Sequence, residues 1–188
     1  MKLEITSALI NEHKLILRML TVLENRAELT SKGKHADYRF YLDAVDFIRN
    51  FADRFHHAKE EDILFEALVK NGMPRENSPV AAMLMEHVQG RVFVSGMEEA
   101  AHEALAGKLD KERDISENAN GYLNLLREHI DKEDNILYPL AERLIPVDMR
   151  EGIVAGYRAA EEQCPAGFKE NYRKIVEKYE SEMLDLAA

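Results

Sequence analysis

Two stretches of the chain, 73 residues apart, repeat one pattern. Residues 56–65 read HHAKEEDILF and residues 129–138 read HIDKEDNILY, so five of the ten positions are identical. Each copy holds a histidine and a glutamate four residues apart, followed by apolar residues. On an α-helix this spacing puts an imidazole and a carboxylate one turn apart on one face. The sequence therefore predicts two equivalent helices that carry the same functional groups.

A second echo lies upstream of each copy. The dipeptide Glu12-His13 recurs as Glu86-His87, so each half has a lone histidine followed by a His/Glu pair. The gap between the lone histidine and the pair is 43 residues in the first half and 42 in the second. Self-similarity at a fixed period indicates a repeated supersecondary unit. We interpret the chain as a duplicated helical hairpin.

Composition and apolar spacing favour an all-α fold. The 188 residues include only nine Gly and five Pro, and no Trp, a composition with few helix breakers. Apolar side chains recur at helical spacing in four long stretches with short connections between them. This arrangement predicts an up-down-up-down four-helix bundle. The expected helices cover about residues 6–29, 37–70, 78–106 and 110–146.

Two shorter helical patterns follow Pro146, at about residues 148–162 and 169–186, with a Cys-Pro-Ala-Gly break between them. We expect them to form a helical hairpin packed on the bundle. The predicted organisation is a four-helix bundle of residues 1–146 and a C-terminal helical extension of residues 147–188.

Charge and cysteine content exclude several classes of protein. The net charge is −10 and the basic residues are scattered among acidic ones, which argues against nucleic acid as a partner. No apolar run is long enough to span a bilayer and the first residues do not resemble a signal peptide, so no membrane association and a cytoplasmic location are expected. The single cysteine, Cys164, excludes an intramolecular disulfide and a thiolate-rich metal site.

A helical wheel at about 100° per residue indicates which of the adjacent polar residues face the core. His56 and Glu60 fall on the apolar face of their helix, whereas His57 and Glu61 lie about 100° and 140° from His56. In the second half, Ile136 and Tyr122 share the inward face with the His/Glu pair. The predicted inward set is His13, His56, Glu60, His87, His129 and Glu133.

Burial of these groups without compensation would cost several kcal/mol per ionised carboxylate. A pair of first-row metal ions offsets that cost, with imidazoles as terminal ligands and the two carboxylates bridging the ions. A single inward histidine is more simply a hydrogen-bonded core residue, but six such groups at one level favour metal. His35 and His102 are expected to be solvated, in or near loops.

The two His-x-x-Lys-Glu strings, at His56 and His129, together with the two Glu-His dipeptides, resemble the hemerythrin-like HHE cation-binding family over residues 1 to about 146. The resemblance implies a four-helix bundle that holds a non-haem di-iron centre with an oxo or hydroxo bridge. Manganese or a mixed pair is an alternative to two irons. The resemblance assigns the ligand roles to the same six residues that form the predicted inward set.

One position departs from the oxygen-carrying members of that family. They have a further histidine one turn after the ligand on the third helix, where this chain has Arg91. The departure predicts an open coordination position for water, O2, NO or a protein group. Tyr122 is close enough along its helix to approach the centre, or else is a core aromatic. His57 and Glu61 are expected behind the ligands or partly exposed, with a role as ligands as the alternative.

Three functions compete at this point. The first is a di-iron protein that reversibly binds O2 or another small diatomic molecule as a carrier, store or sensor, which a histidine-rich set with two carboxylates favours. The second is an enzyme of peroxide or NO reduction or of iron–sulfur centre repair. The third is an iron-responsive regulatory module that folds on metal binding. The sequence does not identify a redox partner.

Overall fold

The computed structural model describes residues 4–34, 37–108 and 110–187, and all regular elements in these ranges are helical. His35 lies outside the described residues. The prediction of an all-α fold is confirmed. Six helical rods follow one another: α1 (Ser7–Ser31), α2 (residues 38–70), α3 (Pro79–Leu105), α4 (residues 111–144), α5 (Val147–Glu162) and α6 (Phe168–Ala187).

The second and fourth rods are not uniform α-helices. In α2 the segments Ile48–His57 and Glu60–Leu64 are π-helical, and in α4 the segment Glu133–Leu137 is π-helical. Their i→i+5 hydrogen bonds include more residues per turn than an α-helix does, and such segments are rare and concentrate at functional sites. All three lie at or next to the repeated sequence motifs.

Local chemistry explains where the helices begin and end. The hydroxyl of Ser78 accepts a hydrogen bond from the backbone N–H of Ala81 at 3.3 Å, and Pro79 occupies the first helical position of α3. Both features favour a helix start. Gly107, with a φ of +82°, follows the end of α3 and adopts a backbone conformation that other residues rarely take.

The first four rods form an up-down-up-down bundle. Along α1 and α2, Thr30 meets Tyr41 at one end and the His13 ring meets His56 at the other, so the two helices are antiparallel. The fourth rod, α4, lies beside α1, where Arg127 pairs with Glu24 at 2.7 Å. The sequence prediction of a four-helix bundle is therefore confirmed.

The interior consists of two apolar clusters on either side of a polar layer. The larger cluster lies toward the Thr30 end of α1 and contains Leu23, Phe47 and Leu126. The smaller lies toward the beginning of α1 and contains Leu9 and Leu64. Between them, buried histidines and glutamates interrupt the apolar core. The fold thus holds these ionisable groups between two apolar layers, where bulk water does not solvate their charges.

The last two helices pack mainly on α1 and α2. Phe168 of α6 contacts the rings of Phe51 and Phe55, and the Tyr179 hydroxyl bonds to Asp43. In α5, Gly156 lies against Ile63 of α2. Among the described residues no helix combines the length and apolar character needed to cross a membrane.

Candidate metal centre

The six residues selected from the sequence meet in the polar layer. Each is at most 3% exposed, and the two carboxylates are fully buried. One comes from α1, two from α2, one from α3 and two from α4, so every helix of the bundle contributes. They are His13, His56, Glu60, His87, His129 and Glu133.

Together with His57, these residues form two groups that could each hold a metal ion. The first, called here the two-imidazole group, consists of His13, His56, Glu60 and Glu133. The second, the three-imidazole group, consists of His57, His87, His129 and Glu60. Within each group one potential ligand atom per residue lies within 4.8 Å of all the others. Glu60 belongs to both.

The two glutamates span the two groups. One oxygen of Glu133 lies 3.3 Å from Nε2 of His13 and the other lies 3.3 Å from Nε2 of His129. One oxygen of Glu60 lies 3.7 Å from Nε2 of His56 and 3.8 Å from Nε2 of His87. This is the arrangement that two carboxylates bridging a pair of ions require.

The prediction that His57 lies off the inward face is wrong. It is buried, and its ring stacks on that of His87 with a centroid distance of 3.7 Å. The wheel used the α-helical angle, but this part of α2 is π-helical and faces two neighbours at once. His56 faces α1, and His57 faces α3.

The same π geometry explains a second error. Ile136 was expected on the inward face of α4, yet it is 57% exposed, whereas Leu137 is 1% exposed. Both residues lie in the π-helical segment Glu133–Leu137, which has more residues per turn than the α-helix that the wheel assumes. A constant α-helical angle per residue therefore fails within the second motif.

Four of the five inward imidazoles are held by a carboxylate at Nδ1. A carboxylate accepts hydrogen bonds, so each ring donates from Nδ1 and directs Nε2 to the centre. Such outer contacts orient metal-binding histidines and make them more basic. The pairs are His13 with Asp134 (2.8 Å), His56 with Glu12 (2.9 Å), His87 with Glu61 (2.7 Å) and His129 with Glu86 (2.9 Å).

These carboxylates explain the second sequence echo. Glu12 and Glu86, the acidic members of the two Glu-His dipeptides, hold the histidines of the following helices. Each also binds the lysine of the adjacent motif, Lys59 or Lys132. The signal was present in both halves of the sequence, but neither these glutamates nor the lysines were assigned a role from it.

A second set of carboxylates connects the two halves. The residue after each motif glutamate, Glu61 or Asp134, accepts from the lone histidine of the other half. The interpretation of Glu61 as a group behind the ligands agrees with this contact. Each hairpin therefore orients one imidazole of its partner hairpin.

The contact between His87 and His129 tests whether the site fits metal. Their Nε2 atoms lie 3.0 Å apart, and both rings donate from Nδ1 to carboxylates. Neutral rings in this state carry lone pairs on Nε2, and two lone pairs at this distance repel. A proton removes the conflict in the metal-free protein, where burial opposes charging of His129 but Glu133 and Glu86 raise its pKa. A metal ion that accepts both lone pairs removes it as well, so the donor set fits a cation.

Other buried atoms in the layer also have no hydrogen-bond partner among the described residues. They include Nε2 of His56, one oxygen of Glu60 and both oxygens of Glu133. Such atoms are rare in native interiors and call for an unseen water or ion. These acceptor atoms lie close to one another within the two groups. A metal ion accepts several lone pairs at once, whereas one water donates only two hydrogen bonds, so the set fits metal ions better than water.

Charges in the layer shift the protonation of the metal-free protein. Burial and the charge of Glu133 raise the pKa of Glu60 well above its ordinary value. Burial opposes ionisation of Glu133, but the imidazoles of His129 and His13, each 3.3 Å from one of its oxygens, hold its pKa well below the ordinary value. Burial likewise opposes charging of His13, but its hydrogen bond to Asp134 and the nearby Glu133 carboxylate raise its pKa to about 9. Protons thus take the place of cations.

Tyr138 covers the two-imidazole group. It is buried, its hydroxyl donates to Glu60, and its ring stacks on His13 with a centroid distance of 5.5 Å. The hydroxyl oxygen lies 3.4 Å from Nε2 of His13. No feature of the sequence singles out Tyr138, since the equivalent position in the first repeat is the apolar Phe65.

Arg91 does not point to an open position in the centre. Its side chain is 45% exposed and pairs with Asp53 at 2.6 Å and with Glu61 at 2.9 Å. The imidazole expected to be missing from α3 is supplied from α2 by His57. His102 is exposed in the last turn of α3, in agreement with its predicted solvation.

A cavity of about 230 Å³ opens beside the three-imidazole group. Its lining includes His57, His87 and His129 and none of the residues of the two-imidazole group. Tyr122 also lines it, and its hydroxyl is buried with no hydrogen-bond partner among the described residues. Burial raises the pKa of this hydroxyl, so it stays protonated and can donate.

Comparison with known proteins gives one match. The family model described as Hemerythrin HHE cation binding domain matches residues 4–141. No match was found among curated proteins or among solved structures. The matched span contains all the residues of the polar layer and ends before α5.

Proposed function

Because the chain belongs to the hemerythrin HHE cation-binding family, we propose that it is a non-haem di-iron protein that reversibly binds O2 or another small diatomic molecule. The observation that carries the proposal is the pair of ligand groups that share Glu60 and are spanned by Glu133. Five imidazoles and two carboxylates form a mixed nitrogen and oxygen set that suits iron. Manganese or a mixed pair would use the same atoms.

We assign the ligands as His13 and His56 on one ion and His57, His87 and His129 on the other, with Glu60 and Glu133 between them. The bound irons would supply reversible electron transfer to the diatomic ligand. The chain's own residues orient the imidazoles through their Nδ1 atoms, exclude water with the two apolar layers, and hold one proton on Tyr138 beside Glu60.

The first test is elemental analysis of protein made in iron-replete medium. We expect about two irons per chain, and the absence of both iron and manganese would reject the di-metal proposal. The second test is the optical spectrum of the reduced protein mixed with O2 and then degassed. Recovery of the reduced spectrum supports reversible binding.

Continued consumption of peroxide or NO would instead support the alternative, an enzyme of peroxide or NO reduction. The cavity at the three-imidazole group favours that alternative, because it gives small molecules a route to one side of the centre. The pairing of Arg91 with Asp53 and Glu61 weakens it, because the guanidinium expected beside an open position is already engaged by two carboxylates.

A further inference from the structure

The cavity beside the three-imidazole group is larger than a diatomic molecule needs. Its volume is about 230 Å³, whereas one water occupies about 30 Å³ of liquid and an engineered cavity of about 150 Å³ accepts benzene. The space therefore matches a molecule of about one aromatic ring with a small substituent. A chamber serving O2 or NO alone would not require it.

The walls of the cavity differ in character. Ile48, Val94, Leu125 and Leu126 supply an apolar side, and the imidazoles lie at the inner end. Pockets that bind small organic molecules have this composition, with mostly apolar walls and a few polar groups that fix orientation. The lining suits an apolar body with one polar end.

Tyr122 supplies the polar group that lacks a partner. Its side chain is 2% exposed, it lines the cavity, and its hydroxyl makes no hydrogen bond with the described residues. A buried hydroxyl without a partner is destabilising, so most native proteins avoid one. A ligand oxygen in the cavity would satisfy it.

Gly90 keeps the space open. It lies in the interior of α3, where glycine is disfavoured relative to alanine. A Cβ at this position would lie 3.5 Å from the Tyr122 ring and 3.7 Å from Leu125. Alanine would therefore fit without strain, and the glycine leaves room that a side chain would take from the cavity.

Charged groups on the outer lining indicate the preferred substituent. Most charges of the lining are paired: Arg49 with Glu98, Arg91 with Asp53 and Glu61, and Glu86 with Lys132 and His129. Arg54 contacts the Asn50 amide and no carboxylate among the described residues, so it leaves one positive charge at the outer lining. The balance favours an anionic oxygen over a cationic group.

We propose that this cavity is a binding site for a small organic carboxylate of about one ring in size, whose oxygen accepts a hydrogen bond from Tyr122. The apolar body would lie against the aliphatic wall. The site would accept its ligand with or without metal, because none of the groups that carry the argument requires an ion.

Benzoate is a suitable probe, titrated into metal-free and metal-loaded protein by calorimetry, with benzylamine as the cationic counterpart. We expect benzoate to bind with a Kd of about 1 mM or tighter, and benzylamine to bind at least about tenfold more weakly. Absence of benzoate binding, or equal binding of the two, would overturn the proposal. Metal content is measured in the same samples. A failure to load metal would count against the di-iron centre, whereas a failure to bind benzoate would count against the cavity proposal.

Two variants locate the ligand. Tyr122→Phe should weaken benzoate binding about fivefold, the effect of one hydrogen bond, while Tyr157→Phe removes an equally buried and unpartnered hydroxyl outside the cavity and should change nothing. Gly90→Ala should weaken binding about threefold with no loss of Tm. Its control is Gly152→Ala in α5, where the added Cβ meets nothing within 4 Å. Equal effects within either pair would place the ligand elsewhere.

Discussion

His56 and His57 are adjacent in sequence but belong to opposite ends of the centre. His56 bonds to Glu12 of α1, whereas His57 stacks on His87 of α3. The second repeat has Ile130 at the position equivalent to His57. One residue therefore makes the difference between three imidazoles at one end and two at the other.

His57→Ala should lower the iron content from about two per chain toward one, because the three-imidazole group loses a ligand. His102→Ala is the control, since His102 is exposed at the far end of α3. Iron per chain, measured by elemental analysis, decides the outcome. Retention of both irons in His57→Ala would mean that the ring only packs against His87.

Glu12→Ala and Glu86→Ala form a matched pair that separates metal binding from stability. Each should weaken metal binding by roughly 10- to 100-fold, because an imidazole loses its orienting acceptor. Their effects on the stability of the metal-free protein should differ. Lys59, the partner of Glu12, is 0% exposed, whereas Lys132, the partner of Glu86, is 36% exposed. Lys59 keeps Glu161 at 3.2 Å.

Breaking a buried ion pair costs roughly 3–5 kcal/mol and an exposed one about 0–1 kcal/mol. We expect Glu12→Ala to cost about 3 kcal/mol of unfolding free energy in the metal-free protein and Glu86→Ala under about 1 kcal/mol. Denaturant titrations of both variants give the comparison. A larger loss in Glu86→Ala would contradict the assigned burial of Lys59.

At the level of the elements, local signals predicted most helix ends. Ser78 and Pro79 start α3 because a hydroxyl and a fixed φ act within one turn, and such effects are readable from the sequence. The repeat also identified six of the seven proposed ligands. The π-helical segments were not predictable in this way, since no residue type specifies i→i+5 bonding. Ile136 was misplaced for that reason, and His57 because this part of α2 faces both α1 and α3.

Ile136→Lys and Leu137→Ala test the helical register within the second motif. Ile136 is exposed, so Ile136→Lys should change the unfolding free energy by less than about 0.5 kcal/mol. Leu137 is buried with Leu64 in the smaller apolar cluster, so Leu137→Ala should cost about 2–5 kcal/mol. Thermal unfolding of the two variants is sufficient. A large loss of unfolding free energy in Ile136→Lys would mean that Ile136 is buried, as the α-helical wheel predicts, and would contradict the π-helical segment.

Across the whole molecule, the polar layer couples stability to metal. The two apolar clusters lie on either side of it, so the helices are held together at mid-height by ionisable groups. Without metal, protons on His13 and Glu60 reduce the repulsion between groups. Metal binding must displace these protons, which makes the affinity depend on pH.

Metal affinity should therefore increase from pH 6 to about 9. The pKa of His13 is raised from 6.5 to about 9, so its contribution to metal-free stability is complete below about 6.5 and is lost as pH rises through about 9. Over the same range, metal competes with fewer protons. The Tm difference between loaded and metal-free protein should widen with pH, and iron titrations at pH 6, 7.5 and 9 test the affinity directly. A difference that narrows would contradict the assignment.

The hydrogen bonds between acidic residues of one hairpin and the lone histidine of the other indicate how the duplicated chain could have arisen. His13 depends on Asp134 and His87 depends on Glu61, so half of this chain cannot orient its own lone histidine. A single hairpin could complete the arrangement only by pairing with a second copy about a two-fold axis, with each copy lending its acidic residue to the other. Duplication and fusion would convert that dimer into one chain. Only after fusion could one half change alone, as the presence of His57 opposite Ile130 requires.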